Sequence, residues 1–114
     1  MSRRDRQYLQ DILDAMEAAE SFVENVSFEE LEDDQRTQFA LQRAFEIIGE
    51  ATKQLSEEVR DQYPSIPWRD IAGMRDKLIH EYFAVNLEIV WKTVHKDFPR
   101  VRPKIQQILV ELSE

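Results

Sequence analysis

Residues 5–23 read DRQYLQDILDAMEAAESFV. Tyr8, Leu9, Ile12, Leu13, Met16, Ala19, Phe22 and Val23 recur at spacings of three and four, the period that gathers apolar side chains on one side of an α-helix. Charged and amide residues fill most of the other positions, so the segment is expected as an amphipathic helix, capped by Ser2 and ending near Asn25. The chain has two Gly and four Pro, and no Asn-Gly or Asp-Gly pair lies between alternating apolar runs. A sheet would lack its turns, and helices should dominate.

The rest of the chain extends this pattern. Ser27 and Glu30 have capping-box spacing, which predicts a short helical turn over Phe28 to Leu31. A long helix is expected from about Asp34 toward Tyr63, with Phe39, Leu41, Phe45, Ile48, Leu55 and Val59 on or near one face, stopped by Pro64. Pro64 and Pro67 make the connection to Trp68 rigid. A third helix should run from Trp68 to Ile79 with Ile71, Met74 and Leu78 inward. Asn86 is a plausible cap for a fourth, bearing Leu87, Val90, Trp91 and Val94. It should end before Pro99, with another beginning between Pro99 and Pro103 and carrying Ile105, Ile108, Leu109 and Leu112. Short joins between such helices predict an all-α, up-and-down bundle of four to five helices.

A chain of 114 residues, 42% apolar and 33% charged, is long enough for one core and too short for two, so residues 1–114 are expected to form a single domain. The absence of Cys removes disulfides, thiol catalysis and cysteine zinc sites. No apolar stretch approaches the ~18 residues of a membrane span, and the start MSRRDRQYLQDI lacks the apolar core of a signal peptide. A cytoplasmic protein without membrane contact is expected.

The net charge of −8 argues at first against a nucleic-acid partner. Its distribution is uneven. Residues 1–67 hold seven Lys or Arg against sixteen Asp or Glu, for −9, residues 68–104 hold eight against five, for +3, and the remainder carries −2. The surplus consists of Arg69, Arg75, Lys77, Lys92, Lys96, Arg100, Arg102 and Lys104. Such a segment reads either as solvated helix faces or as a local phosphate-binding surface on an acidic body.

Both His residues, His80 and His95, fall in that segment. Five residues of ideal helix turn through about 500°, so Arg75 and His80 converge only if the helix ends or distorts near Ile79, or if a second chain supplies the partner. Together they could cleave RNA without a metal. A neutral imidazole takes the 2′-hydroxyl proton, an imidazolium protonates the 5′-oxygen leaving group, and Arg stabilises the pentacoordinate phosphorus. One imidazole cannot do both tasks at once, whereas two copies of His80 across a two-fold axis can. The plainer alternative is structural: Arg75 pairs with a helix-face carboxylate, Asp76 hydrogen-bonds His80 four residues on, and Tyr82 sits at the core edge. His95 near a helix C-terminus often only complements the dipole. Glu46 and Glu50 make no diagnosable metal site, and Arg69, Lys77 and Glu81 read as surface charge.

The spacing Arg75-x4-His80-x-Tyr82, set in IPWRDIAGMRDKLIHEY, resembles the R-x4-H-x-Y motif of the HepT-like toxins of the HEPN superfamily. The resemblance spans nearly the whole chain, through DRQYLQDILDAMEAAESFV, RAFEIIGEATKQL and NLEIVWKTVHKDFPRVRPKI. It implies an all-helical, homodimeric ribonuclease that needs no metal or cofactor and is the toxin of a toxin–antitoxin pair. Arg75 and His80 match the catalytic pair, and Asp76 the polar residue that often follows the Arg. Tyr82 matches the tyrosine that a cognate MNT-type nucleotidyltransferase antitoxin modifies with AMP. Two other classes remain open, a non-catalytic helical interaction module and a nucleotide-binding accessory subunit.

Overall fold

The computed structural model describes residues 1–75 and 87–112. Among them the regular elements are helical: α1 (Arg3–Phe22), α2 (Phe28–Glu32), α3 (Gln35–Gln54), α4 (Glu57–Gln62), α5 (Trp68–Ala72), α6 (Leu87–Lys92), a π-helical segment (Thr93–Asp97) and α7 (Phe98–Leu112). The all-α expectation holds. The bundle is built on three long pieces, α1, α3 and the rod from α6 to α7.

The first two elements begin and end where their sequence signals stand. Ser2 caps α1 by accepting the Asp5 N–H at 3.0 Å, and Asn25 beyond its end takes the left-handed conformation that Asn tolerates well, at φ 61°. Ser27 and Glu30 close a capping box at α2, satisfying two N–H groups that a helix start leaves unpaired.

The predicted helix from Asp34 to Tyr63 is two helices. Leu55 is extended, and Ser56 starts α4 by accepting the Val59 N–H at 3.3 Å. The Ser56 N–H and hydroxyl donate to the two carboxylate oxygens of Asp5 at 3.0 and 2.9 Å. Glu57 and Glu58 favour a helix start at this point through the helix dipole. Phe39, expected on the core face, is 60% exposed because Leu41, Phe45 and Ile48 set the buried stripe and Phe39 lies off it.

The helix expected to end before Pro99 does give way to a new element, which starts at Phe98, but without leaving helical geometry. The chain continues from α6 through a π-helical segment into α7, which contains Pro103. Pro99 lies one residue beyond the wide turn, after Phe98, where the shifted hydrogen-bond register softens its missing N–H. Pro103 costs about 3 kcal/mol in a helix interior. Burial of Phe98, Val101, Ile105 and Ile108 offsets that, at roughly 1.5–3 kcal/mol each. The third predicted helix is described over α5 and at Met74 and Arg75, with Gly73 between them. Its expected course to Ile79, including Leu78, lies outside the described residues, as does the Asn86 cap.

Polar contacts fix the helix directions. Asp5 at the start of α1 meets Ser56 just beyond α3, so these helices are antiparallel. Glu20 accepts from Arg102 at 2.7 Å and Glu17 from Gln106 at 3.5 Å, so α1 also runs antiparallel to α7. One buried cluster joins Leu9, Ile12 and Met16 of α1 to Leu41, Phe45 and Ile48 of α3 and to Phe98, Ile105 and Ile108 of α7. Phe45 and Phe98 meet at its centre, with ring centroids 5.5 Å apart. None of the described helices is long and apolar enough to cross a membrane.

Candidate functional site

Arg75 is held against α3 by a close backbone approach. A Cβ placed on Gly49 would lie 2.9 Å from the Arg75 Cβ, 3.0 Å from its N and 3.3 Å from the Ala72 carbonyl oxygen. Only a residue without a side chain leaves that space. Gly in a helix interior costs about 1 kcal/mol relative to Ala, so its presence in α3 calls for such a packing reason.

The next residue of α3 supplies the charge. Glu50 Oε1 lies 3.3 Å from Arg75 Nε, with the two side chains 48% and 40% exposed. An ion pair this open contributes about 0–1 kcal/mol, little enough for the guanidinium to exchange its carboxylate for a phosphate. Arg75 and Glu50 line an open groove of about 420 Å³ between α1 and α3, together with Tyr8, Asp11, Ile47 and Gln54. The structural alternative for Arg75 is thus partly realised, since it does pair with a carboxylate, though one on a neighbouring helix.

Of the sequence-predicted site residues, Arg75 alone is described. Asp76, His80 and Tyr82 lie outside the described residues, as do Lys77 and Glu81. Gly49, Glu50 as the Arg75 partner, and Tyr8 as a groove wall were not anticipated. The helix-interior Gly of RAFEIIGEATKQL was the available signal for the first two, because it marks a close approach.

Among the described residues the basic segment does not form one surface. Arg102 forks onto Glu20 of α1 through Nε and Nη2, at 2.7 and 3.4 Å. Arg100 and Lys104 line a different groove with Asp70 and Asp97. The Arg75 groove takes its other cations, Arg43 and Lys53, from the half of the chain that is acidic on average.

His95 sits elsewhere and does not end a helix. It lies in the π-helical segment, its Nδ1 2.8 Å from the Trp91 carbonyl oxygen and its ring 4.0 Å from that of Trp91. Its groove is lined by Glu17, Glu20, Glu24 and Arg102. Among the described residues no three His, Cys, Asp or Glu side chains are grouped as metal ligands.

The pattern of the family described as Ribonuclease HepT-like matches residues 12–108. A Thermococcus cleftensis protein named "Probable ribonuclease HepT" is 45% identical over 108 residues, covering 95% of this chain and 98% of the other. A protein of Caldanaerobacter subterraneus whose name carries the term RNase is 45% identical over 104 residues, with 91% and 93% covered. Another such protein, from Methanocaldococcus jannaschii, is 37% identical over 114 residues, with 99% and 94% covered. No solved structure matches the chain. An all-helical fold, an arginine poised in an open groove and a match over most of the sequence lead to one statement: the chain belongs to the HepT-like ribonuclease family.

Proposed function

We propose that this chain is a metal-independent endoribonuclease, that Arg75 and His80 are its catalytic residues, and that it acts as the toxin of a toxin–antitoxin pair. The observation that carries the reading is Arg75, half-exposed in an open groove and paired with an exchangeable carboxylate, in a chain of a ribonuclease family.

The chemistry follows from the residues. Neutral His80 removes the proton of a ribose 2′-hydroxyl, the O2′–P bond forms, and the P–O5′ bond breaks. A protonated His80 from a second copy gives its proton to the leaving 5′-oxygen. The products are a 2′,3′-cyclic phosphate and a 5′-hydroxyl. Arg75 binds the non-bridging oxygens, whose charge grows in the transition state. Asp76 orients this pair, and the site is composed at a homodimer interface. No metal or other cofactor has a part in these steps.

Regulation acts two residues from His80. A cognate nucleotidyltransferase antitoxin transfers AMP from ATP to the Tyr82 oxygen with release of pyrophosphate. The adduct adds bulk and phosphate charge beside the catalytic histidine and competes with the RNA backbone. The protein works in the cytoplasm, where both RNA and ATP are present.

The test compares wild type with Arg75→Ala and His80→Ala on cellular RNA, with and without EDTA. The reading expects cleavage by wild type alone, unchanged by the chelator. The Arg75–Glu50 ion pair favours a second reading, in which Arg75 only joins α5 to α3. In that case folded Arg75→Ala protein cleaves as wild type does. For the regulatory step, intact mass after co-expression with the antitoxin should show AMP-sized additions that Tyr82→Phe abolishes. Additions that persist in that variant place the modification elsewhere.

A further inference from the structure

The groove beside Arg75 has the make-up of a binding site for one nucleotide. Its size, about 420 Å³, lies in the range of small-molecule sites. Its lining is mixed. Tyr8 from α1 and Ile47 and Ala51 from α3 contribute aromatic and aliphatic surface, while Arg75, Arg43 and Lys53 contribute positive charge. A nucleotide carries both kinds of group, a flat apolar base and an anionic phosphate.

We propose that this groove is the subsite for a single-stranded RNA nucleotide flanking the cleaved phosphate. The phosphate sits at Arg75, the base stacks on the Tyr8 ring, and the Gln54 amide meets the base edge. The proposal rests on the ribonuclease reading and extends it from the reacting phosphate to the neighbouring base.

Three observations favour RNA as the occupant. The groove is continuous with Arg75, so whatever it holds is adjacent to the guanidinium. Arg43, Lys53 and Arg75 gather beside Asp11 and Glu50 on a chain whose net charge is −8, with Arg43 also paired to Glu46 at 3.3 Å. The His95 groove has the opposite balance, with Glu17, Glu20 and Glu24 around Arg102. Unpaired bases are recognised by stacking on aromatic rings, which suits a half-buried tyrosine at a groove wall. Asp11 and Glu50 disfavour a second phosphate in the groove, so it accepts one nucleotide and the strand must bend away on either side.

Tyr8 also packs against the core, which sets the choice of variants. Tyr8→Phe keeps both packing and stacking, Tyr8→Leu keeps packing but loses the ring, and Gln54→Ala changes an exposed position. Full-length protein is titrated with a fluorescent, 2′-O-methylated RNA dodecamer, which binds without being cut. In parallel, KM and kcat are measured on unmodified RNA, and thermal unfolding verifies that each variant is folded.

The expected result is a loss of affinity of ~10-fold for Tyr8→Leu, a smaller loss for Gln54→Ala and near wild-type binding for Tyr8→Phe, appearing in KM rather than kcat. Unchanged affinity and KM in both Tyr8→Leu and Gln54→Ala overturns the subsite while leaving Arg75-dependent cleavage intact. A Tyr8→Leu chain that loses its dimer mass yet binds RNA normally also overturns it, because the groove is then covered by a second copy. If no RNA is cut by wild type, the ribonuclease reading fails, and the binding series still reports on the groove by itself.

Discussion

Two carboxylates hold distant parts of this chain together, and they do so in opposite ways. Asp5 is buried and accepts the N–H and hydroxyl of Ser56, joining the first turn of α1 to the start of α4. Glu50 is half-exposed and meets the Arg75 Nε at 3.3 Å. The first contact leaves no room for exchange, because breaking it would strand buried polar groups. The second can be exchanged for another anion with little loss of stability. The contact that resists exchange thus lies where α1, α3 and α4 meet, and the exchangeable one where the groove opens beside Arg75.

The largest expected effect is on chemistry. Arg75→Ala should lower the cleavage rate by about 10²–10³-fold, the usual range for removing one transition-state hydrogen-bond donor. Its thermal unfolding should stay within the small shift that loss of an exposed ion pair brings. A variant that unfolds far below wild type would reverse the contrast, making Arg75 part of the framework.

Asp5→Ala should do the opposite. It leaves the Ser56 N–H and hydroxyl without their acceptor, at about 1–3 kcal/mol for each unsatisfied group, with turnover per folded molecule retained. Chemical denaturation measures the first effect and a cleavage assay the second.

The same residue sets a pH dependence. Burial alone would raise the Asp5 pKa, but hydrogen bonds from Ser56 and Ser2 outweigh it and hold the carboxyl below its ordinary value. A folded-state pKa below the unfolded one means a contribution fully present above the unfolded pKa of about 3.9 and lost as pH falls through the folded value. Acid titration of wild type against Asp5→Asn should show a difference in stability that shrinks below pH ~4. A constant difference across that range would refute the assignment.

Gly49→Ala lies between the two contacts in size. A Cβ at 2.9 Å from that of Arg75 forces α3 and the Arg75 backbone apart, for a cost of about 1–3 kcal/mol. Cleavage should fall as well, because the displaced atoms belong to the proposed catalytic residue. Loss of stability with full activity would show that the Arg75 position is not critical. The smallest effect is expected from Glu50→Gln, under about 1 kcal/mol in denaturation, since the pair is open to water. A cost equal to that of Asp5→Ala would erase the distinction between the two carboxylates.

The helical class, the α1 stripe from Leu9 to Ala19 and the Ser27–Glu30 box were legible because local period and capping chemistry specify them directly. Two boundaries were misread for a physical reason. The apolar pattern runs on through Leu55 and Val59 as in one helix, whereas the start of α4 at Ser56 is held by Asp5, 51 residues away in sequence. Pro99 and Pro103 looked like a break because their cost is local, whereas the burial that offsets it comes from contacts across the bundle.

The charge pattern misled in a similar way. Summing charge along the chain pointed to residues 68–104 as one basic region. Folding instead places Arg102 on Glu20 and lines the Arg75 groove with Arg43 and Lys53. Sequence neighbours along a helix point in different directions, so a segment's net charge says little about the charge of a groove.

The most direct measurement of the central claim is the end-group chemistry of RNA treated with wild type and with folded Arg75→Ala protein in excess EDTA. The account predicts that wild type yields 2′,3′-cyclic phosphate and 5′-hydroxyl ends at an undiminished rate and that Arg75→Ala yields almost none. Cleavage by wild type that stops in EDTA, or that persists at full rate in Arg75→Ala, would contradict it.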